Sequence, residues 1–270
     1  MALTNLQRRI CRLVAGNRIA SGESYLAGAA ALNELVGGAR LSRDIDIFHD
    51  TEEAVAYAWA EDRRSLEAAG YGVRAVREVR SYVEAEVGIE GETVRVEWAR
   101  DSAYRFFPLV QNEAFGLVLH PFDLATNKVL ALVGRLEVRD WVDVIASATR
   151  VQPLGYLAWA ASGKDPGFGP RAILEHAART SRYSADEVAT LSFDGQSPDA
   201  GDLSRTWRGM LVEASETVDA LPPAQAGTCV LTAAGGLFHG NPEEARTAVA
   251  EDALVYHRGT IRGALPRLLP

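Results

Sequence analysis

The segment Ser42-Arg43-Asp44-Ile45-Asp46-Ile47-Phe48 limits what this chain can fold into more than any other stretch. It alternates as a β-strand does. Every second side chain of a strand shares a face, so Asp44 and Asp46 point together while Ile45 and Ile47 pack behind. Two carboxylates that close repel each other and are costly to keep charged unless a cation lies with them. A hard cation such as Mg²⁺ suits them, because it takes carboxylate oxygens and keeps room for water and phosphate. The plainer alternative is a pair at a strand end, with one member simply facing solvent.

The rest of the chain can support such a site. It has 270 residues, 47% hydrophobic and 24% charged, enough for a substantial core and two domains. The formal charge of −8 argues against bulk electrostatic capture of nucleic acid, although a local basic groove remains compatible with it. Cys11 and Cys229 are the only cysteines, which suggests neither a disulfide framework nor a zinc cluster. Residues 1–16 carry arginines and lack the apolar core of a signal peptide, and no apolar run reaches membrane-spanning length. A cytoplasmic location is expected.

Periodicity predicts a helix over Leu3–Val14, with Leu6, Ile10, Leu13 and Val14 on one side. A short strand, Tyr25-Leu26-Ala27-Gly28, leads into a helix over Ala29–Val36 that Gly37-Gly38 ends. The acidic strand covers Leu41–Phe48. Thr51 caps a helix running to Ala69, with Glu52 and Glu53 in its first turn and Gly70 as its stop. Strands follow at Val73–Val79, Tyr82–Ile89 and Thr93–Trp98, the last two joined by a turn at Glu90-Gly91-Glu92. Beyond Pro108 the pattern becomes mainly helical: Phe122–Val133, Arg139–Ala148, Ala172–Thr180, Ala185–Leu191, Leu203–Leu221 and Glu243–Asp252. The expected fold class is α/β (α+β): a mixed sheet with flanking helices in residues 1–112, and a mainly helical domain, 113–270, that completes an active-site cleft.

Several residues could carry chemistry. Gly28 lies at a strand-to-helix junction, where a glycine lets backbone approach a phosphate and the helix N–H groups can bind it; a packing glycine is the plainer reading. In Val94-Arg95-Val96-Glu97-Trp98, Arg95 and Glu97 share a face. If that strand lies beside Asp44, then Asp44, Asp46 and Glu97 could meet at one metal. Lys128, in a helix with Leu124 and Leu132, could neutralise triphosphate charge or snorkel from an amphipathic surface. Arg139, Asp140 and Asp143 open the next helix; Asp140 and Asp143 share a face, and Arg139-Asp140 could be only a helix-start salt bridge.

Taken in order, these segments resemble the abortive-infection (AbiEii) type nucleotidyltransferase toxins, which share the minimal polymerase-β-like nucleotidyltransferase core. In that family a Gly-Gly or Gly-Ser pair opens a helix rich in alanine and leucine, followed by an arginine, a small hydroxyl residue and an Asp-hydrophobic-Asp strand. Here this reads Gly28-Ala29-Ala30-Ala31-Leu32, then Arg40-Leu41-Ser42-Arg43-Asp44-Ile45-Asp46-Ile47-Phe48. The second block, a helix lysine followed by Arg-Asp and another aspartate, matches Asp123-Leu124-Ala125-Thr126-Asn127-Lys128, Arg135 and Arg139-Asp140-Trp141-Val142-Asp143. The resemblance covers roughly residues 20 to 150. It implies nucleotide binding at Gly28, Ala29, Arg40, Ser42 and Lys128, divalent metal (Mg²⁺ or Mn²⁺) at Asp44 and Asp46 with Glu97 as third acid, and a catalytic or orienting role for Asp143, with Asp140 beside it. Ala29 departs from the pattern: its N–H remains, but a serine hydroxyl is lost.

The implied reaction moves a nucleoside monophosphate from an NTP to an acceptor hydroxyl on RNA, protein or a small molecule, with a cognate antitoxin as a further partner. Two other readings stay open. One is an aminoglycoside-type transferase whose acidic cleft suits a cationic drug; the other is a non-catalytic nucleotide- or partner-binding module.

Overall fold

The computed structural model describes residues 3–179 and 183–267. The chain divides into two compact units, Met1–Ala103 with Leu109–His120, and Tyr104–Pro108 with Pro121–Pro270. In chain order come α1 (Asn5–Ser21), β1 (Ser24–Ala27), α2 (Gly28–Val36), β2 (Asp44–His49), α3 (Glu52–Ala68), β3 (Gly72–Val79), β4 (Tyr82–Ile89) and β5 (Glu92–Arg100). The two-residue β6 (Tyr104–Arg105) belongs to the second unit, and β7 (Val110–Asn112) and β8 (Gly116–Val118) return to the first.

The first unit is built on one seven-stranded sheet, ordered β3-β4-β5-β2-β1-β8-β7. The β2–β5 and β1–β8 pairs are parallel and the others antiparallel. The turn between β4 and β5 places both Glu90 (φ 55°) and Gly91 (φ 86°) in the left-handed region, the twist that a two-residue hairpin needs. Side-chain alternation splits the sheet cleanly. Ile45, Ile47, Val83, Ala85, Val87, Val94, Val96 and Trp98 are buried together. Burying one such Ile or Val side chain contributes roughly 1.5–3 kcal/mol. α3 lies on this apolar side: Trp59 meets Trp98 edge-on at 4.9 Å, and the buried Asp62 accepts from Trp98 Nε1 at 2.9 Å and from Asn17 at 2.8 Å.

Local chemistry sets the helix ends. Thr51 Oγ1 accepts from the Ala54 N–H, and Glu52 and Glu53 occupy the first turn of α3. Thr4 and Gln7 form a capping box at the start of α1. α1 runs seven residues past the predicted end at Val14, and Leu13, expected on its apolar side, is 38% exposed. The extension is held by Arg18, which is buried and donates from Nε to Phe115 O (2.8 Å) and from Nη2 to Cys11 O (2.9 Å). A hydrophobic count passes over an arginine that packs this way.

The second unit adds α4 (Pro121–Arg135), α5 (Val138–Arg150), α6 (Leu154–Ala161), α7 (Pro170–Ala178), α8 (Ala185–Ala189), α9 (Ala200–Ala220), β9 (Thr228–Thr232), α10 (Pro242–Ala250), β10 (Leu254–Arg258) and β11 (Thr260–Ile261). It is mainly helical, with two small antiparallel pairs, β9–β10 and β6–β11. α9 begins three residues before the predicted Leu203, because Asp199 caps it by accepting from the Asp202 N–H. α7 begins at Pro170, two residues before the predicted Ala172, because proline suits a first helical position; its predicted end, Thr180, lies outside the described residues. Among the described residues no helix is long and apolar enough to cross a membrane.

Candidate active site

β2 alternates half-buried Asp44, Asp46 and Phe48 with buried Ile45, Ile47 and His49, so both aspartates stand on the sheet face opposite the apolar one. β5 runs parallel beside β2, with Arg95 next to Asp44 and Glu97 next to Asp46. β4 then places Glu84 opposite Glu97 and Glu86 opposite Arg95. The register thus draws Asp46, Glu97 and Glu84 into a row across three adjacent strands.

The Arg95 guanidinium is shared among carboxylates of this face. Arg95 Nε donates to Asp44 Oδ1 at 2.8 Å and lies 3.9 Å from Glu97, while its Nη1 is 3.5 Å from Glu84. Three carboxylates share this arginine, and Glu97 registers the negative charge around it. Burial, and then the charges of Asp46 and Asp44, hold its carboxyl above the usual range, against the pull of the Tyr82 hydroxyl and Arg95. Tyr82 itself donates to Glu84 at 3.2 Å, and burial together with Glu97 and Glu84 suppresses its acidity.

Gly28 opens α2 at φ 66°, and a Cβ placed on it would fall 1.7 Å from Asp46 Oδ2. Only a residue without a side chain lets that carboxylate stand against the helix start. The N-cap position is Ala27, whose side chain makes no capping bond. Ala29 is buried in that first turn. Arg40 and Ser42 are buried as well: Arg40 Nη1 donates to Leu41 O, and Ser42 Oγ donates to Asp44 O at 3.0 Å. Gln7 Nε2 donates to Ser42 O, tying α1 to the start of the acidic strand.

Hard carboxylate oxygens suit Mg²⁺ or Mn²⁺, and Mg²⁺ commonly takes only one or two carboxylates together with substrate phosphates. Among the described residues no three His, Cys, Asp or Glu side chains are gathered closely enough to hold a metal by themselves. A metal at Asp44, Asp46 or Glu97 would therefore need phosphate or water for its remaining ligands.

The second block of the sequence motif lies in the second unit, with Asp123, Lys128, Asp140 and Asp143 buried and Arg135 and Arg139 reaching solvent. Lys128 Nζ is 3.0 Å from Asp140 and 3.1 Å from Asp143, and Arg135 donates to both oxygens of Asp140 at 2.6 and 3.0 Å. Burial pushes the Asp140 carboxyl upward, but Arg135 and Lys128 outweigh it and hold it below its ordinary value. Arg139 pairs with Glu137 at 2.6 Å and not with Asp140, whose partners are the buried Lys128 and the half-exposed Arg135. Asp123 accepts from the backbone N–H groups of Phe106 and Phe107 and pairs with Lys164 at 2.7 Å.

Sequence reasoning passed over Glu84, Tyr82, Lys164 and the bond from Arg95 to Asp44. For Glu84 a signal existed, since the alternation of Tyr82–Ile89 already puts it on one face with Tyr82 and Glu86. Lys164 follows a helix that shows no period at all.

No protein-family model and no curated protein matches this sequence. Solved structures do match. A candidate nucleotidyltransferase from H. pylori superimposes with a TM-score of 0.53 at 17% identity, over 80% of this chain and 97% of its own. JHP933 from Helicobacter pylori gives 0.53 at 16%, over 80% and 95%. MenT4, a nucleotidyltransferase toxin from Mycobacterium tuberculosis H37Rv, gives 0.51 at 17%, over 78% and 83%. At such identities the likeness establishes the fold: this chain has a nucleotidyltransferase-like fold, a mixed sheet with flanking helices followed by a mainly helical region.

Proposed function

We propose that the protein is a metal-dependent nucleotidyltransferase, with the Asp44–Asp46 face of the first unit as its catalytic surface. The observation that carries this reading is Gly28 against Asp46: a glycine at positive φ opens a helix with no N-cap side-chain bond, directly beside a carboxylate of the acidic face. Phosphate on the helix N–H groups and metal on the carboxylates are the two halves of an Mg·NTP site. The fold shared with nucleotidyltransferases adds support.

In this reading the acceptor oxygen forms a bond to the α-phosphorus, and the bond to the bridging β-oxygen breaks, its electron pair leaving with pyrophosphate. Asp44 and Asp46 would hold Mg²⁺ or Mn²⁺, which when bound supplies charge neutralisation and a more acidic acceptor hydroxyl. Glu97, with its raised carboxyl, is suited to take the acceptor proton or to join the metal ligands. Gly28 and Ala29 would offer backbone N–H groups to phosphate, and Arg40 and Ser42 would shape the segment leading into the acidic strand. The second block enters on the resemblance alone: Lys128 for nucleotide phosphate, with Asp143 and Asp140 orienting that lysine. A toxin-like acceptor, RNA or protein, and a cognate antitoxin belong to the same reading.

The surplus of carboxylates around Arg95 also favours a second acceptor class, a small cationic molecule of the aminoglycoside type. Incubation with each α-phosphate-labelled NTP, Mg²⁺ and cell extract separates the two. Label on RNA or protein supports the first, and label on an added aminoglycoside the second. No transfer to anything, or transfer undiminished in Asp44→Ala, overturns the enzyme reading and leaves the non-catalytic binding module.

A further inference from the structure

Arg95 is a charged side chain on the acidic face whose sign opposes its surroundings and which touches a proposed metal ligand directly. It bonds Asp44 at 2.8 Å yet its side chain is 48% exposed, against 20% for Asp44. A pair so placed is held weakly, because water solvates both partners once they part. The guanidinium keeps its charge at every ordinary pH, and its carboxylate partners push its acidity still lower, so loss of a proton cannot release it. A divalent cation can, since an Asp44 oxygen bound to a metal would bring two positive groups into repulsion. We infer that Arg95 is a resident counter-ion that competes with divalent metal for Asp44, and so sets the metal concentration at which the site loads. This rests on the metal reading of the Asp44–Asp46 face.

Several features of the face fit the role. The register places Arg95 beside Asp44 on one side and opposite Glu86 on the other, so its head can leave Asp44 and remain among carboxylates. Arg74, nearer the sheet edge, pairs with Glu86 at 2.5 Å and offers a matched control: the same charge on the same sheet, with no bond to Asp44.

The test is Mn²⁺ binding to the whole protein without nucleotide, followed by water-proton relaxation, in wild type, Arg95→Gln, Arg95→Lys, Arg74→Gln and Asp44→Asn. Competition predicts that Arg95→Gln binds Mn²⁺ about 3- to 10-fold more tightly, a range set by the strength of half-exposed ion pairs. Arg95→Lys and Arg74→Gln should stay within about 2-fold of wild type, because the first keeps a competing charge and the second removes one elsewhere. In transfer assays the Mg²⁺ midpoint of Arg95→Gln should fall in parallel. Equal or weaker Mn²⁺ binding in Arg95→Gln, or an equal gain in Arg74→Gln, overturns the inference while leaving the metal site standing. Failure of both wild type and Arg95→Gln to bind Mn²⁺ overturns the inference and the metal reading together.

Discussion

Each unit of this protein gathers aspartates around a cation, with opposite accounting of charge and water. In the first, Asp44, Glu84 and Glu97 share Arg95 on a half-exposed sheet face, with Asp46 in register beside Glu97. In the second, Asp140 and Asp143 are fully buried and share Lys128, with Arg135 closing over Asp140. In the ion pairs of this group two buried anions meet two cations, the buried Lys128 and the half-exposed Arg135. Low dielectric makes each partner indispensable to the others. The exposed group is unbalanced, which water tolerates and which leaves the face attractive to an added cation. A carboxylate cluster is thus a better candidate for ligand binding when its charge does not close and water still reaches it.

Variants can break that comparison. The largest effect on stability should follow Asp140→Ala, which leaves Lys128 and Arg135 without their shared partner; a loss of about 3–5 kcal/mol is expected by urea unfolding. Gly28→Ala should cost about 1–3 kcal/mol, from a side chain at positive φ and a Cβ driven into Asp46, and should depress nucleotide binding as well. Asp46→Asn should change stability by less than about 0.5 kcal/mol, or raise it, since it relieves repulsion on an already acidic face. A large loss of stability in Asp46→Asn, with little in Asp140→Ala, would reverse the assignment of the two clusters.

The smallest effect is in pH dependence, where the clusters should slope in opposite directions. Glu97 holds its proton more tightly folded than unfolded, so its contribution to stability is best below its ordinary value of 4.5 and declines as pH rises through that value toward the folded one. Glu97→Gln should therefore be slightly stabilised at neutral pH, with the gain vanishing in acid. Asp140 is shifted downward, so its contribution is present above its ordinary value of 3.8 and is lost as pH falls through the lower folded one. Unfolding midpoints of the two variants, each relative to wild type across pH 3 to 7 (roughly the span in which carboxyls titrate), would show whether these slopes have the stated signs.

Much of the first unit was legible because its elements carry their own signals. Period-two alternation in β2, β4 and β5, the Thr51 cap and the Glu90-Gly91 turn each act within a few residues of chain. That alternation also implied that Asp44 and Asp46 share a face. The placement of β5 beside β2 and the choice of Arg95 as partner for Asp44 depend on sheet order, which no local pattern encodes. In the second unit α6 (LGYLAWAA) is buried on every side and so shows no apolar period to find. β9 and β10 are short and separated by α10, and they went unrecognised because their pairing is not local. The contacts of Lys128 with Asp140 and Asp143, and its burial, are likewise set by tertiary packing that a sequence does not show.

Titration calorimetry with each NTP, in the presence and absence of Mg²⁺, on wild type and Asp46→Asn tests the acidic face most directly. The account predicts nucleotide binding that needs Mg²⁺ and weakens by about 100-fold or more in Asp46→Asn, close to 2.7 kcal/mol, with the melting temperature preserved. Binding that is indifferent to Mg²⁺, or that survives intact in Asp46→Asn, would contradict it.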